Sequence, residues 1–169
     1  MHKEIERLYK NKTRNSVERV KWKDVLDVKL LYTRKSDDRY KARLVVRGFQ
    51  QRNVADDIYS PVASNETFKI LLSYCCQNGL IIEQMNVETA FLNGEVTSEV
   101  YVNQPKGYAD GTNRVCKLSK ALYGLKKSRR EWYECLNKYL TRLGFKKNNI
   151  ELCLYCIQLF PHFMCCCAT

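Results

Sequence analysis

Glycine and proline are scarce in this chain, seven and three of 169 residues, and no glycine-rich, proline-rich or repeated segment marks a linker or a repeat array. The sequence therefore reads as one domain or part of one, long enough to bury a core. No apolar signal segment opens the chain, which points to an intracellular protein, cytoplasmic or nuclear rather than secreted, with its thiols reduced. Acidic side chains are few, 18 against 29 Lys and Arg, for a formal net charge of +11. The imbalance is local: residues 1–53 carry +9, residues 54–113 carry −6, residues 114–149 carry +9 and residues 150–169 carry −1. Two basic blocks around an acidic one suit a polyanion held at the flanks with a cation between them. Ordinary solvated surface charge is the alternative. An apolar fraction of 45% excludes wholesale disorder.

The periodicities that are present mix strands and helices. Residues 1–24 are highly charged, with only Ile5, Leu8, Val17 and Val20 as spaced apolar positions, and read as a charged lead-in, a solvent-facing helix or frayed end. "VLDVKLLYT" and "RYKARLVVRGF" flank the polar turn "RKSDD", a hairpin signal. "ETFKILLSYCCQN" sets Phe68, Leu71, Leu72 and Cys75 at helical spacing and stops at Asn78-Gly79. "LIIEQMNV" reads as a short buried strand, and "EVYV" and "RVCKLS" as two more. "SRREWYECLNKYLTRLGF" is the strongest helix, with Trp132, Leu136, Tyr139 and Leu143 on one face and Gly144 just past its end. "LCLYCIQLF" starts another strand. Without regular βαβ alternation the class is α+β, antiparallel hairpins with packed helices.

Cationic side chains in "YKARLVVRGFQQ" alternate along a strand, so Lys41, Arg43 and Arg47 share one face. Such a row contacts phosphates, or it protects a solvated edge strand from aggregation. Nine cysteines is a high, odd count. Cys75, Cys76, Cys116 and Cys135 read as core filling. The other five lie in the tail, where Cys153, Cys156, His162 and Cys165 are zinc ligands by residue type and Cys165–Cys167 are acylation candidates. The formally uncharged run 152–169 is at the lower limit for a membrane span, but polar interruptions argue against one, and no membrane partner is expected.

Four stretches in order, "YKARLVVRGFQQ", "QMNVETAFLNG", "VYVNQPKGY" and "VCKLSKALYGLKKSRREWY", resemble the reverse transcriptase domain of copia-type retrotransposon polyproteins over residues 25–155. Residues 156–169 then form an unrelated apolar, cysteine-rich tail. The resemblance implies the fingers and first part of the palm of a right-hand polymerase. It also implies an RNA template or RNA–DNA hybrid and deoxynucleoside triphosphates as partners, and Mg2+ as cofactor in two-metal chemistry. By this resemblance Lys41, Arg43, Arg47, Tyr123, Gly124 and Lys126 would contact nucleotide or template. Val87 would lend a backbone carbonyl to a metal, and Phe91 would stack beneath the incoming sugar. Core packing is the alternative for Phe91. Lys127 and Arg129 stand where the family commonly has glutamine and proline.

Asn86 stands where the family places a metal-binding aspartate. Mg2+ takes hard anionic oxygens, and an amide offers one neutral acceptor beside a donor NH2. The loss expected for one key electrostatic group is roughly 100-fold to 10,000-fold in rate. Glu88 lies ~6.6 Å further along if the strand continues, too far to substitute. The family's second carboxylate motif, Tyr-x-Asp-Asp, would follow "LCLY", and residues 152–169 contain no Asp or Glu. The expectation is thus a truncated, catalytically inactive fragment with residual nucleic-acid binding. An active polymerase completed by a further segment, and a domesticated non-enzymatic nucleic-acid-binding protein, are the alternatives.

Overall fold

The computed structural model describes residues 2–21, 23–52, 58–159 and 162–167. In chain order the elements are α1 (His2–Lys10), β1 (Arg14–Glu18), β2 (Val25–Leu26), β3 (Val28–Arg34), β4 (Tyr40–Val46), a 3-10 turn (Gly48–Gln50), α2 (Asn65–Gln77), α3 (Ala90–Asn93), β5 (Tyr101–Val102) and β6 (Arg114–Leu118). α4 (Ser128–Arg142), β7 (Lys146–Lys147), β8 (Leu154–Leu159) and β9 (His162–Cys167) complete the set. Helices mixed with mainly antiparallel sheets agree with the α+β reading. The chain forms two compact units, Met1–Tyr59 with Thr89–Trp132, and Ser60–Glu88 with Tyr133–Thr169, the division falling inside α4.

The first unit holds a four-stranded sheet in the order β1-β6-β5-β2. β1 runs antiparallel to β6, β6 antiparallel to β5, and β5 parallel to β2. The predicted hairpin is present as β3–β4, in register from Val28 opposite Val46 to Arg34 opposite Tyr40. Its turn is closed by Lys35 N–H donating to the Arg39 carbonyl at 2.9 Å, with Asp38 at φ +58. Asp tolerates that left-handed conformation better than most residues. Leu44 and Val46 on one face of β4 join Ile5, Leu8, Leu26, Val102, Leu118 and Leu122 in the core. The lead-in thus differs from expectation, because α1 buries Ile5 and Leu8. Two apolar positions three apart lie on one helix face, and that is enough to dock a nine-residue helix.

In the second unit α2 begins where Ser64 Oγ accepts the Thr67 N–H at 3.0 Å. It ends where Leu80 N–H reaches back to the Cys75 carbonyl at 2.9 Å, with Gly79 at φ +64. This is the glycine-dependent helix stop that Asn78-Gly79 announces. α4 ends the same way, Phe145 N–H donating to Leu140 at 3.1 Å around Gly144 at φ +93. Its buried side chains in this unit are Tyr133 and Leu140, while Tyr139 and Leu143 of the predicted face are exposed. Tyr133 can be buried because its hydroxyl is satisfied: it donates to the Leu152 carbonyl at 3.4 Å and accepts from Lys147 Nζ at 3.3 Å. β8 lies between β7 and β9.

Two further expectations are corrected. Residues 80–87, read as a buried strand, form no strand and are exposed throughout. Among the described residues no strand pairs with them, and isolated extended backbone has no partner for its N–H and C=O groups. Of the cysteines read as core filling, Cys116 is buried, Cys75 and Cys135 are half-buried, and Cys76 is exposed.

Candidate nucleic-acid interface

The residues singled out from the sequence fall in both units. Lys41, Arg43, Arg47, Phe91, Tyr123, Gly124 and Lys126 belong to the first, Asn86 and Val87 to the second. Within the first unit several of them meet at the outward face of β4. Even-numbered Leu44 and Val46 point into the core, so Lys41 and Arg43 share the opposite face. Tyr123 lies beside the strand: Val46 N–H donates to the Tyr123 carbonyl at 2.8 Å, and Val45 and Tyr123 form a parallel bridge. The Arg43 guanidinium lies 4.9 Å from the centre of the Tyr123 ring, a cation–π distance. Phe91, at the start of α3, meets the same ring edge-on, centroids 4.7 Å apart and planes at 65°.

Lys41, Arg43 and Tyr123 line a small cleft of about 80 Å3 together with Glu4 and Arg7 of α1. Burial pushes the Lys41 ammonium below the usual lysine range, and Arg43, Lys35 and Arg7 lower it further, with only Glu4 acting in the other direction. Among the described residues, Arg7, Lys41 and Arg43 have no carboxylate within ion-pair distance. The result is a cluster of three cations beside two aromatic rings packed edge-to-face, chemistry suited to phosphates and base or sugar faces.

Arg47 does not continue the row. The backbone leaves the strand at Arg47, φ −77 and ψ 72, and its guanidinium lies 3.9 Å from Asp27. That carboxylate is held below its usual range, first by the Gln50 amide at 3.0 Å and then by the Asn103 amide at 2.9 Å. Lys126 turns to Gln51, whose backbone carbonyl accepts from Nζ at 2.9 Å. Gly124, at φ +92, is the point of closest backbone approach. A Cβ there would lie 2.0 Å from the Val46 carbonyl oxygen, so the chain itself occupies the space that its missing side chain leaves. Gly48 meets Gly124 in turn, its Cβ position 1.9 Å from the Gly124 oxygen. Gly48 lies inside the segment whose pattern reads as strand, "RYKARLVVRGF", and nothing in that pattern marks the paired close approach. Arg7, too, was missed, because one basic residue in a charged lead-in carries no mark of its target.

In the second unit Asn86 and Val87 are exposed on irregular chain. The donor set at 86–88 pairs a neutral amide oxygen with a backbone carbonyl and the Glu88 carboxylate. Among the described residues no three His, Cys, Asp or Glu side chains converge to hold a metal ion. These residues do not fit a two-carboxylate magnesium centre. The zinc set named above includes His162, whose side chain lies outside the described residues. Among the described residues no helix is long and apolar enough to cross a membrane.

Comparison with known proteins agrees with the order of motifs. The profile of the family described as "Reverse transcriptase (RNA-dependent DNA polymerase)" matches residues 11–160, and the chain belongs to this family. Its relatives are copia-type Pol polyproteins. It is 39% identical over 164 residues to the Retrovirus-related Pol polyprotein from transposon TNT 1-94 of Nicotiana tabacum, covering 92% of this chain and 12% of that protein. It is 42% identical over 125 residues to the corresponding polyprotein from transposon RE1 of Arabidopsis thaliana, covering 72% and 8%. Against the Transposon Ty1-ER2 Gag-Pol polyprotein of Saccharomyces cerevisiae it is 29% identical over 175 residues, covering 91% and 10%. The chain thus spans only a small part, 8% to 12%, of the length of these relatives. No solved structure matches it.

Proposed function

We propose that this chain corresponds to the fingers and first part of the palm of a copia-type reverse transcriptase, no longer polymerises, and keeps affinity for RNA or RNA–DNA hybrid. The cluster of Arg7, Lys41 and Arg43 around Tyr123, three cations in a cleft with one carboxylate, Glu4, carries this reading. Phosphates would neutralise the three cations, while Tyr123 and Phe91 offer ring surface to a base or sugar. Burial is the main cause of the depressed Lys41, and an anion bound there would offset the added repulsion from Arg43, Lys35 and Arg7. Loss of polymerisation rests on Asn86, which brings a neutral amide to the position where the family binds a divalent ion, with Val87 and Glu88 unable to replace a bridging carboxylate. Deoxynucleoside triphosphates would then be at most bound, not incorporated.

Anisotropy titration of a labelled single-stranded RNA tests the binding. The logarithm of affinity should fall linearly with the logarithm of salt, by about 0.7 per neutralised phosphate, and Arg43→Ala should reduce the slope by about that amount. A flat salt response, or an unchanged slope in Arg43→Ala, would overturn it. Primer extension with Mg2+ should give no product; clear incorporation by the unmodified chain would overturn the inactivity.

A further inference from the structure

The second unit contains a sulfur pair that the polymerase reading does not use. In the β8–β9 ladder, Cys156 lies directly opposite Cys165, and their Sγ atoms are 2.8 Å apart. Residues directly opposite on antiparallel strands have Cα atoms about 4.5–5.5 Å apart, inside the roughly 4.4–6.8 Å range that a disulfide spans. The neighbouring thiols are placed otherwise: Cys166 is opposite Tyr155 and Cys167 opposite Leu154. Among the described strands, then, a cysteine faces a cysteine only once. Both sulfurs are free thiols on half-buried residues. Cys165 also opens onto a cleft of about 400 Å3, lined by Leu71, Tyr74 and Cys75 of α2, by Gly79, Leu80 and Ile81, and by Met164. That is room for a small reagent to enter.

We propose that Cys156 and Cys165 are a reversible modification site, a cross-strand dithiol that a low-molecular-weight disulfide of the glutathione class converts to an intramolecular disulfide. The step balances as thiol–disulfide exchange. One cysteine thiolate attacks a sulfur of the exogenous disulfide, forming a mixed disulfide and releasing one small thiol. The other cysteine then attacks the protein sulfur of that mixed disulfide and displaces the second small thiol. The protein's two thiols are oxidised, the reagent's disulfide is reduced, and the two protons leave with the small thiols. Burial, and next the Cys156 thiol, push Cys165 up to about 12, and because the thiolate is the attacking form the exchange quickens with rising pH. The product would tie β8 to β9 covalently.

The test uses the full unmodified chain in buffers of oxidised and reduced glutathione, with free thiols alkylated at each ratio and disulfide-linked peptides sequenced without reduction. The expected result is loss of two alkylatable thiols from the nine and of two hydrogens in intact mass. One linked peptide pair should join Cys156 to Cys165, and excess reduced glutathione should reverse it. Cys156→Ser and Cys165→Ser should each abolish that species, while Cys75→Ser should leave it in place. Links scattered among Cys75, Cys153, Cys166 and Cys167, intermolecular links alone, or Cys156 and Cys165 still fully alkylated in oxidised glutathione would overturn the proposal. Because the mapping is done on the unmodified chain, a variant that fails to fold does not rescue it.

Discussion

The two units treat their apolar side chains differently. In the first, residues from α1, β2, β4, β5, β6 and the 121–125 segment share one core. In the second, α2 has no fully buried side chain, and the run 80–87 exposes Ile81, Ile82, Met85 and Val87. Composition does not explain this, since "LIIEQMNV" has five apolar residues in eight and β4, "YKARLVV", has five in seven. What β4 has, and 80–87 lacks among the described residues, is a neighbouring strand. β4 pairs with β3 along seven residues and is fastened at its end to Tyr123. An apolar run becomes a buried strand only when another chain segment takes its backbone hydrogen bonds, because unpaired backbone groups hold it in water.

The fastening at Tyr123–Gly124 is where that contrast breaks most readily. Adding one methyl by Gly124→Ala would place a Cβ 2.0 Å from the Val46 oxygen and 2.8 Å from Val45 Cγ1, at φ +92. Neither backbone can yield without opening the end of β4. The expected loss is about 3–5 kcal/mol, seen in urea unfolding of the first unit. Gly111→Ala is the control, with φ +76 but nothing within 4 Å of its Cβ position among the described residues, and should cost only about 1–2 kcal/mol. Equal losses in the two variants would mean that backbone conformation, not close approach, sets the requirement at Gly124.

Truncating one apolar side chain in each unit sharpens the comparison. Leu44 is 1% exposed in the first core, whereas Ile70 on α2 is 69% exposed. Leu44→Ala should cost about 2–5 kcal/mol, through lost burial and the cavity it leaves. Ile70→Ala should stay within about 0.5 kcal/mol. Hydrogen exchange separates the outcomes, with faster exchange across β3 and β4 for Leu44→Ala and an unchanged pattern for Ile70→Ala. A loss at Ile70 matching that at Leu44 would show the α2 face to be covered in solution and remove the distinction between the units.

Local chemistry made much of the fold legible. The hairpin, both helix stops and the strands at 101–102 and 114–118 were announced by turn residues and short apolar patterns, which act within a few residues. The failures were non-local. Nothing in 14–18 marks it as the partner of 114–118, and nothing in 80–87 says that its pattern goes unpaired. On α4 the pattern points to the face of Trp132, Leu136, Tyr139 and Leu143, whereas Tyr133 and Leu140 are the buried apolar side chains, and the hydrogen-bond partners of Tyr133 come from 147 and 152. At the candidate site, Lys41, Arg43, Phe91 and Tyr123 were identified from sequence and are brought together. Arg47 was misplaced because strand alternation was carried one residue past the end of β4, where the chain turns toward Asp27.

Glu131 supplies the smallest effect and the most discriminating test of how dense the first unit is. It sits in the first turn of α4 with 7% exposure, its Oε1 accepting the Thr97 N–H at 3.2 Å while its Oε2 is buried without a partner among the described residues. The Gly94 backbone presses against the same turn, a Cβ there falling 2.9 Å from the Glu131 carbonyl carbon. Burial raises the carboxyl above its usual range, and the Thr97 N–H offsets this only in part. A raised folded value means that the stability contributed by the neutral acid is complete below the unfolded carboxylate range and is lost as pH climbs through the folded value. At neutral pH the first unit therefore carries a buried charge at a cost. Glu131→Gln keeps an acceptor for Thr97 and removes the charge, but it also gives up a favourable anion at a helix N-terminus and adds an NH2 in need of a partner. The net gain should be modest, about 0.5–1 kcal/mol at neutral pH, vanishing in acid where the wild-type side chain is itself neutral. Urea midpoints measured across that range should converge at low pH and separate as pH rises. A variant weaker than wild type at neutral pH would mean that Oε2 finds water, and that the interior of the first unit is open at the very turn where α4 enters it.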